Sequence, residues 1–356
     1  MAANISRKKI SKTIPRKAEA YIQLVTFTDK KKVVHSAGQI SKYLESFSYT
    51  DVASGESDEI SMTLCNIGMP WASKWMPKKG QILTAQIAVL NWAAAGEKLS
   101  FSCGTFTCDD ISIAFPEAAT ATVSGVSIPE RHAFRSTKRS KTWKGISLWE
   151  IANTIAKRYG MKLSYSAPPI GIRKEEQSDT DDCAFLYKLC GDYGLGMKVY
   201  RGKIAIFDIV KFEQAAAVAK IKAAEILDGD YNSTLSGTYT GAKMQYTVTG
   251  KHDKKTEKTL TIGKGERWLS ISEKAESYNE AQLKAYAKLR EENRKAETQK
   301  FTAPTIAKKI WAGSVIEITG AGYISGRWFV DKATHTVSAS DGYTVTLETH
   351  RARAKK

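Results

Sequence analysis

The stretch from Trp311 onward constrains the fold of this chain more than any other. Val315, Ile316 and Ile318, then Trp328 to Val337, then Tyr343 to Leu347 form three apolar-rich runs. Gly320, Gly322, Gly326 and the Asp341-Gly342 pair separate them. Short runs of strand-forming residues bounded by turn residues read as strands, and Asp-Gly is a strong hairpin signal. The pattern predicts an antiparallel meander that closes the chain.

Residues 20–128 carry the same signature. Glu59-Ile-Ser-Met-Thr-Leu alternates with Ile60, Met62 and Leu64 on one face. Tyr21 to Phe27, Gln81 to Leu90, Lys98 to Phe106 and Thr120 to Val126 are further strand candidates, with turn signals at Ala95-Gly96 and Asp109-Asp110. Pro70, Trp71 and Trp75 fall in a short insertion, read as one helical turn. Several short strands at roughly 8–12-residue spacing predict a barrel or sandwich.

The character changes near residue 131. Arg131, Arg135, Lys138, Arg139 and Lys141 read as a basic linker of low periodicity. Ser147 followed by Glu150 is a capping box, and Leu148, Ile151, Ala152, Ile155, Ala156 and Tyr159 recur at helical spacing. Gly160 ends that helix, and a short strand follows from Met161. A second helix is capped within Ser178 to Asp182, buries Phe185, Leu186, Leu189, Cys190 and Tyr193, and stops at Gly194. A hairpin follows over 196–207. This is a small α/β unit built from two similar helix–strand pieces.

Beyond Ile226 the pattern predicts one long strand over 233–249, a charged turn over 251–258 and a return over 259–262. Gly263-Lys-Gly-Glu reads as a hairpin turn. A solvated helix over about 280–295 is capped by Asn279 and Gln282, with Leu283, Tyr286, Ala287 and Arg290 along one side. The expected division is an arm (1–18), a first β-barrel (19–130), an α/β domain (131–212) and a second β-barrel (213–356) containing that helix.

The 356 residues are 42% hydrophobic and 26% charged, as in a soluble globular protein. No stretch approaches the roughly 18 apolar residues of a membrane span. The N-terminus has charge without an apolar segment behind it, so it does not read as a secretory signal. These features predict a protein made and kept in the cytoplasm, or released by lysis. The five cysteines are odd in number and lack zinc spacing. They read as buried thiols, with a Cys103–Cys108 bridge as the alternative.

The formal charge is +17. Arg7, Lys8, Lys9, Lys12, Arg16 and Lys17 precede the first acid, Glu19, and Arg351, Arg353, Lys355 and Lys356 form a basic tail. Such runs are either solvated or matched to an acidic partner. Ile5, Ile10 and Ile14 interrupt the arm. That favours an arm that orders on a neighbouring subunit, with Arg7 to Lys17 as its contact residues.

No constellation for catalysis stands out. The five histidines are scattered, and His335 inside the closing strand reads as structural. There is no Gly-x-Ser-x-Gly, His-Glu-x-x-His or phosphate-binding glycine loop. Asp179, Asp181 and Asp182 could hold a cation, but helix capping explains them more simply. Glu175 and Glu176 lack the separated environments of a glycosidase pair. The expectation is no enzyme activity, no catalytic residue, no cofactor and no metal. Trp143 to Ala152 is similar to the start of a LysM peptidoglycan-binding module, which gives a second reading. A basic nucleic-acid binder is a third and weaker one, since no recognition motif accompanies the charge.

The order of several motifs resembles the phage late control D family, baseplate hubs of contractile tails and of prophage-like particles. These are Ser57 to Leu64, Lys78-Lys-Gly-Gln-Ile-Leu, Cys103-Gly-Thr-Phe, Gly145 to Ala152, Gln177 to Cys190, and Gly326-Arg-Trp-Phe-Val through Leu347. The resemblance implies two tail-tube-like barrels flanking a LysM-like α/β insertion. It also implies a homotrimeric ring that adapts a sixfold tube to a threefold spike. Expected partners are a second copy of the chain, the spike, the tube or its initiator, other baseplate proteins and the tape measure protein. Neither membrane nor nucleic acid is expected among them.

Overall fold

The structure is a computed structural model, and it describes residues 17–26, 32–91, 95–114, 119–127, 133–200, 202–249, 255–303 and 310–352. It is mainly β. One large sheet runs through both β-rich regions, with the strand from Gly326–Ser338 at its centre.

That strand joins the two ends of the chain. On one edge it pairs along its length with Gly342–Arg351. On the other edge it first pairs with Val315–Thr319, then, past a bulge at Asp331, with Leu44–Val52. A bulge bends the strand that carries it and turns a side chain out of register. The first β-rich region follows outward through Glu59–Cys65, Thr120–Val126, Lys98–Ile113, Ile82–Leu90 and Lys17–Thr26. The other side continues through Glu297–Ala303 to Asp228–Ser233. The ladders are antiparallel apart from Ala219–Lys222, which runs parallel to Val315–Thr319.

The two regions therefore share one core. Phe47, Tyr49, Ile60, Met62 and Leu83 pack in the same cluster as Phe301, Trp328, Val330, Tyr343 and Leu347. Alternation dictates this, because every second residue of each strand faces inward. The inward sets Ile60/Met62/Leu64 and Tyr343/Val345/Leu347 are all buried.

The α/β unit has its own core of Trp143, Leu148, Ile151, Ile155, Phe185, Leu186, Leu189, Met197, Ile204 and Ile206. Its helices are Leu148–Arg158 and Asp182–Asp192. The capping box forms as expected: Glu150 N donates to Ser147 Oγ and Ser147 N donates to the Glu150 carboxylate. The strands Lys162–Ser166, Lys203–Asp208 and Leu195–Tyr200 make a small mixed sheet. The basic linker is not a linker. Lys138–Ser147 is a strand paired with Gly171–Asp181, its Trp143 is buried, and Lys141 lies over the Trp143 ring.

Four further expectations differ. Asp109-Asp110 is no turn: Lys98–Ile113 runs straight through it, with a register shift between Cys108 and Asp110 that absorbs one residue. The single strand over 233–249 is two strands, Asp228–Ser233 in the main sheet and Gly241–Thr249 in a separate one. Gly263 turns the chain with φ +84, yet the strands it joins are not a hairpin. Both Lys255–Gly263 and Trp268–Ala275 pair with Gly241–Thr249 between them, the latter in parallel. The helix spans Tyr278–Arg294 and is capped by Ser277, whose Oγ accepts from Glu280 N, rather than by Asn279.

Candidate functional site

Of the arm, Lys17 is described: it opens the strand Lys17–Thr26 and is exposed. Arg7, Lys8, Lys9, Lys12 and Arg16 lie outside the described residues, as do Arg353, Lys355 and Lys356 of the tail.

The aspartate cluster divides into separate jobs. Asp181 caps its helix, its Oδ1 accepting from Ala184 N at 2.9 Å. Asp179 is exposed and pairs with Lys138 at 3.2 Å. Asp182 is buried and accepts from Tyr159 Oη at 2.6 Å and Gln177 Nε2 at 2.9 Å, with Arg158 alongside. Burial alone would push the Asp182 carboxyl up. The hydrogen bonds and the Arg158 guanidinium outweigh it and hold the group below its usual range. Glu175 is raised by burial near Lys284, whereas exposed Glu176 is lowered by its bond to Lys174. Glu175 and Glu176 line one cleft with Lys174, Lys188 and Lys284, and Asp181 lines another. Among the described residues no group of three His, Cys, Asp or Glu side chains could hold a metal ion.

All five cysteines are outside any disulfide. Burial pushes the Cys183 and Cys190 thiols up to about 12, which suits packing rather than nucleophilic chemistry. His335 is structural as expected. It is buried, its Nδ1 lies 2.6 Å from Tyr343 Oη, and it stacks on Tyr49. Burial lowers its pKa to about 4, so it is neutral.

What the fold does concentrate is charge at the seams between units. At the first seam, Lys198 of the α/β unit bonds both Asp51 and Asp58 of the main sheet, the latter at 3.0 Å. Asp51 also accepts from Ala312 N at 2.9 Å, and Asp58 from Val52 N at 3.1 Å. Ser54 Oγ accepts from Met197 N, and Ser127 Oγ donates to Val199 O. The strand Leu195–Tyr200 is thereby docked along the sheet. Burial pushes Asp58 up to about 6, with the Lys198 charge opposing. Burial pulls Lys198 down, but the two carboxylates outweigh it and leave it raised.

The second seam centres on His350. Its Nδ1 lies 2.8 Å from Asp331, the bulge residue, and its Nε2 lies 3.3 Å from Glu213. Glu213 also accepts from Arg294 Nε at 2.9 Å. Strand, bulge and two helices thus meet on one imidazole. Burial works against protonated His350, and the two carboxylates outweigh it, so its pKa is raised. A third contact, Tyr193 Oη to Glu280 at 3.3 Å with Lys284 at 2.8 Å from Glu280, ties the α/β unit to the helix Tyr278–Arg294.

Sequence reasoning missed these groups. One signal was available: Asp51 follows Phe47 and Tyr49 at period two, so a carboxylate had to point inward. Nothing local marks Lys198 or Glu213. The helix Tyr278–Arg294 also inverts the simple reading. Lys284 and Glu280 are buried, whereas Leu283 and Tyr286 are 45% and 40% exposed, so they do not share the environment of buried Ala287.

No protein-family model matches the sequence, and no curated protein is similar enough in sequence to match it. Solved structures are similar in fold over nearly the whole chain. The 43 kDa tail protein of prophage MuSo2 from Shewanella oneidensis is similar with a TM-score of 0.66 at 11% identity, covering 94% of this chain and 98% of that one. A tail protein from Neisseria meningitidis MC58 gives 0.65 at 11% identity, covering 94% and 97%. A component of the Escherichia coli type VI secretion system, described as structurally similar to T4 bacteriophage tail proteins gp27 and gp5, gives 0.55 at 11% identity, covering 87% and 74%. The chain has the fold of these phage-tail and secretion-system proteins.

Proposed function

We propose that this chain is the structural baseplate hub of a contractile phage tail or tailocin-like particle. Three copies form a ring that adapts a sixfold tail tube to a threefold spike. The carrying observation is the end-to-end likeness of fold to phage tail proteins, which leaves little of either chain unmatched. The division into two tube-like β units around an α/β insertion, read from the sequence, is part of the same proposal. The shared sheet and core support it, because they fix both β units as one rigid adaptor.

In this reading the chain is not an enzyme, and its site is its surface. Its partners are further copies of itself, the spike, the tube or tube initiator, neighbouring baseplate proteins and the tape measure protein. The α/β unit is LysM-like in shape and structural in role: both of its helices pack inward, and Lys198 pins it to the sheet. The arm from Arg7 to Lys17 docks on an adjacent baseplate or tube subunit. A ring of this kind buries interfaces of thousands of Å², as permanent assemblies do.

The test is co-purification of the chain with the spike and tube proteins of the same particle, with and without residues 1–18. We expect a stoichiometric complex with the full chain and weakened attachment without the arm. A chain that binds neither partner and instead sediments with peptidoglycan would replace the hub with the wall-binding reading.

A further inference from the structure

Two cavities of similar size lie at the seams, and they differ in kind. The first, about 550 Å³, surrounds His350, and its ionisable groups already answer one another: His350 with Asp331 and Glu213, and Glu213 with Arg294. The second, about 540 Å³, lies between the main sheet, the end of the strand Leu195–Tyr200 and the turn at Ile310 to Ala312. Leu99, Phe101, Ile310 and Val345 make its walls largely apolar. An apolar hollow of this size with a few converging polar groups suits a small organic ligand.

Two polar groups that line it lack a partner. Tyr49 is 6% exposed, and its hydroxyl makes no hydrogen bond with a described residue. His335 is 5% exposed; Tyr343 Oη engages its Nδ1, and its Nε2 has no partner among the described residues. A buried donor or acceptor left unpaired is costly, so the two mark where a ligand's polar atom would sit. Around them the wall is aromatic: His335 stacks on Tyr49 and on Tyr343, and Phe101 tilts against it at 5.1 Å. Trp311, 49% exposed, stands on the solvent side, and its turn is fixed by the Ala312 N–H donating to Asp51.

Charge narrows the choice of ligand. Asp51 and Asp58 share the single ammonium of Lys198 beside the cavity, so an anion would meet surplus negative charge. A pure hydrocarbon would leave Tyr49 and His335 unpaired. We propose that this cavity binds a neutral phenol, supplied as a free small molecule or as a tyrosyl side chain. Its ring lies against the aromatic wall. Its hydroxyl can both donate and accept, so it fits His335 in either tautomer. The lining comes from the main sheet and from Lys198 and Tyr200 of the α/β unit, so an occupant fastens the two together beside the Lys198 seam. The inference does not depend on the hub reading.

The test is calorimetric titration and saturation-transfer NMR of the full chain with p-cresol, toluene, benzoate and N-acetyl-tyrosine amide. The expected result is saturable binding of one p-cresol per chain, several-fold tighter than toluene, with no binding of benzoate. Hydrogen exchange in Leu195–Tyr200 should slow on saturation. Tyr49→Phe, which loses no internal hydrogen bond, should abolish the preference for p-cresol over toluene. Ser100→Trp, at an exposed lining position, should block both. Competition by N-acetyl-tyrosine amide assigns the site to a side chain, and p-cresol binding without such competition assigns it to a free phenol. Equal binding of toluene and p-cresol, p-cresol binding that Ser100→Trp leaves unchanged, or no saturable binding overturns the proposal.

Discussion

Two neighbouring strands of the main sheet hold two histidines in opposite states. His335 sits in the interior among Tyr49, Phe101 and Tyr343, makes no ion pair with a described residue, and is held neutral by burial. His350 sits at the seam between units, faces Asp331, Glu213, Arg294 and Glu348 from the elements around it, and is biased towards its charged form. The interior is held by apolar burial, and the seams by ion networks. A charge in a low-dielectric site is costly unless paired, so seam charges specify which surfaces meet more than they add stability. A fold that must dock several units in one geometry has use for both.

The largest effect should come from the interior. Trp328 is fully buried, donates from Nε1 to Ile324 O at 3.0 Å and lies under the Arg351 guanidinium. Trp328→Ala is expected to cost about 3–5 kcal/mol, measured by denaturant unfolding. Because this core is shared, the loss should appear as one cooperative transition. Separate transitions for the two β regions would break the comparison.

The seam comes next. Lys198→Met leaves two buried carboxylates without their cation, and breaking a buried pair this way costs about 3 kcal/mol. Hydrogen exchange should locate the loosening in Leu195–Tyr200 and its neighbours rather than in the sheet. Adding Asp51→Asn and Asp58→Asn should recover part of the loss.

The histidines sharpen the comparison through pH. For His335 the folded value of about 4 lies below the ordinary histidine value of 6.5, so the unfolded chain binds more protons between them. Stability should fall as pH drops through that window, by up to about 3 kcal/mol, and His335→Gln should remove that slope. For His350 the sign reverses. Its folded pKa is raised, so its contribution is full below the unfolded value and is lost as pH rises through the folded one. His350→Gln should flatten the alkaline side alone. Identical pH profiles for the two variants would contradict the assignment of one neutral site and one charged site. The smallest effect is Ser147→Ala, about 1 kcal/mol of lost capping, confined to the α/β unit.

Where local chemistry decides, the sequence was readable. The Ser147/Glu150 box, the helix face from Leu148 to Tyr159 and the closing meander all form where periodicity and turn residues put them. It misled where tertiary pairing decides. The Lys138–Ser147 strand looked like a linker, because its partner Gly171–Asp181 is distant in sequence and most of its residues face water. Residues 233–249 looked like one strand because alternation does not reveal which sheet each half joins. The seam charges were invisible for the same reason. Lys198 and Asp51 are 147 positions apart, and no spacing rule connects them.

The central claim is that this chain is built to join copies of itself between tube and spike. The measurement that tests it most directly is the native mass and projection image of the purified chain, alone and with its spike protein. A ring of about three times 39.3 kDa with a central opening, capped by the spike, is the result the hub reading requires. A monomer under both conditions would contradict it. Salt-steep binding of that monomer to DNA, or sedimentation with cell wall, would then show which other reading holds.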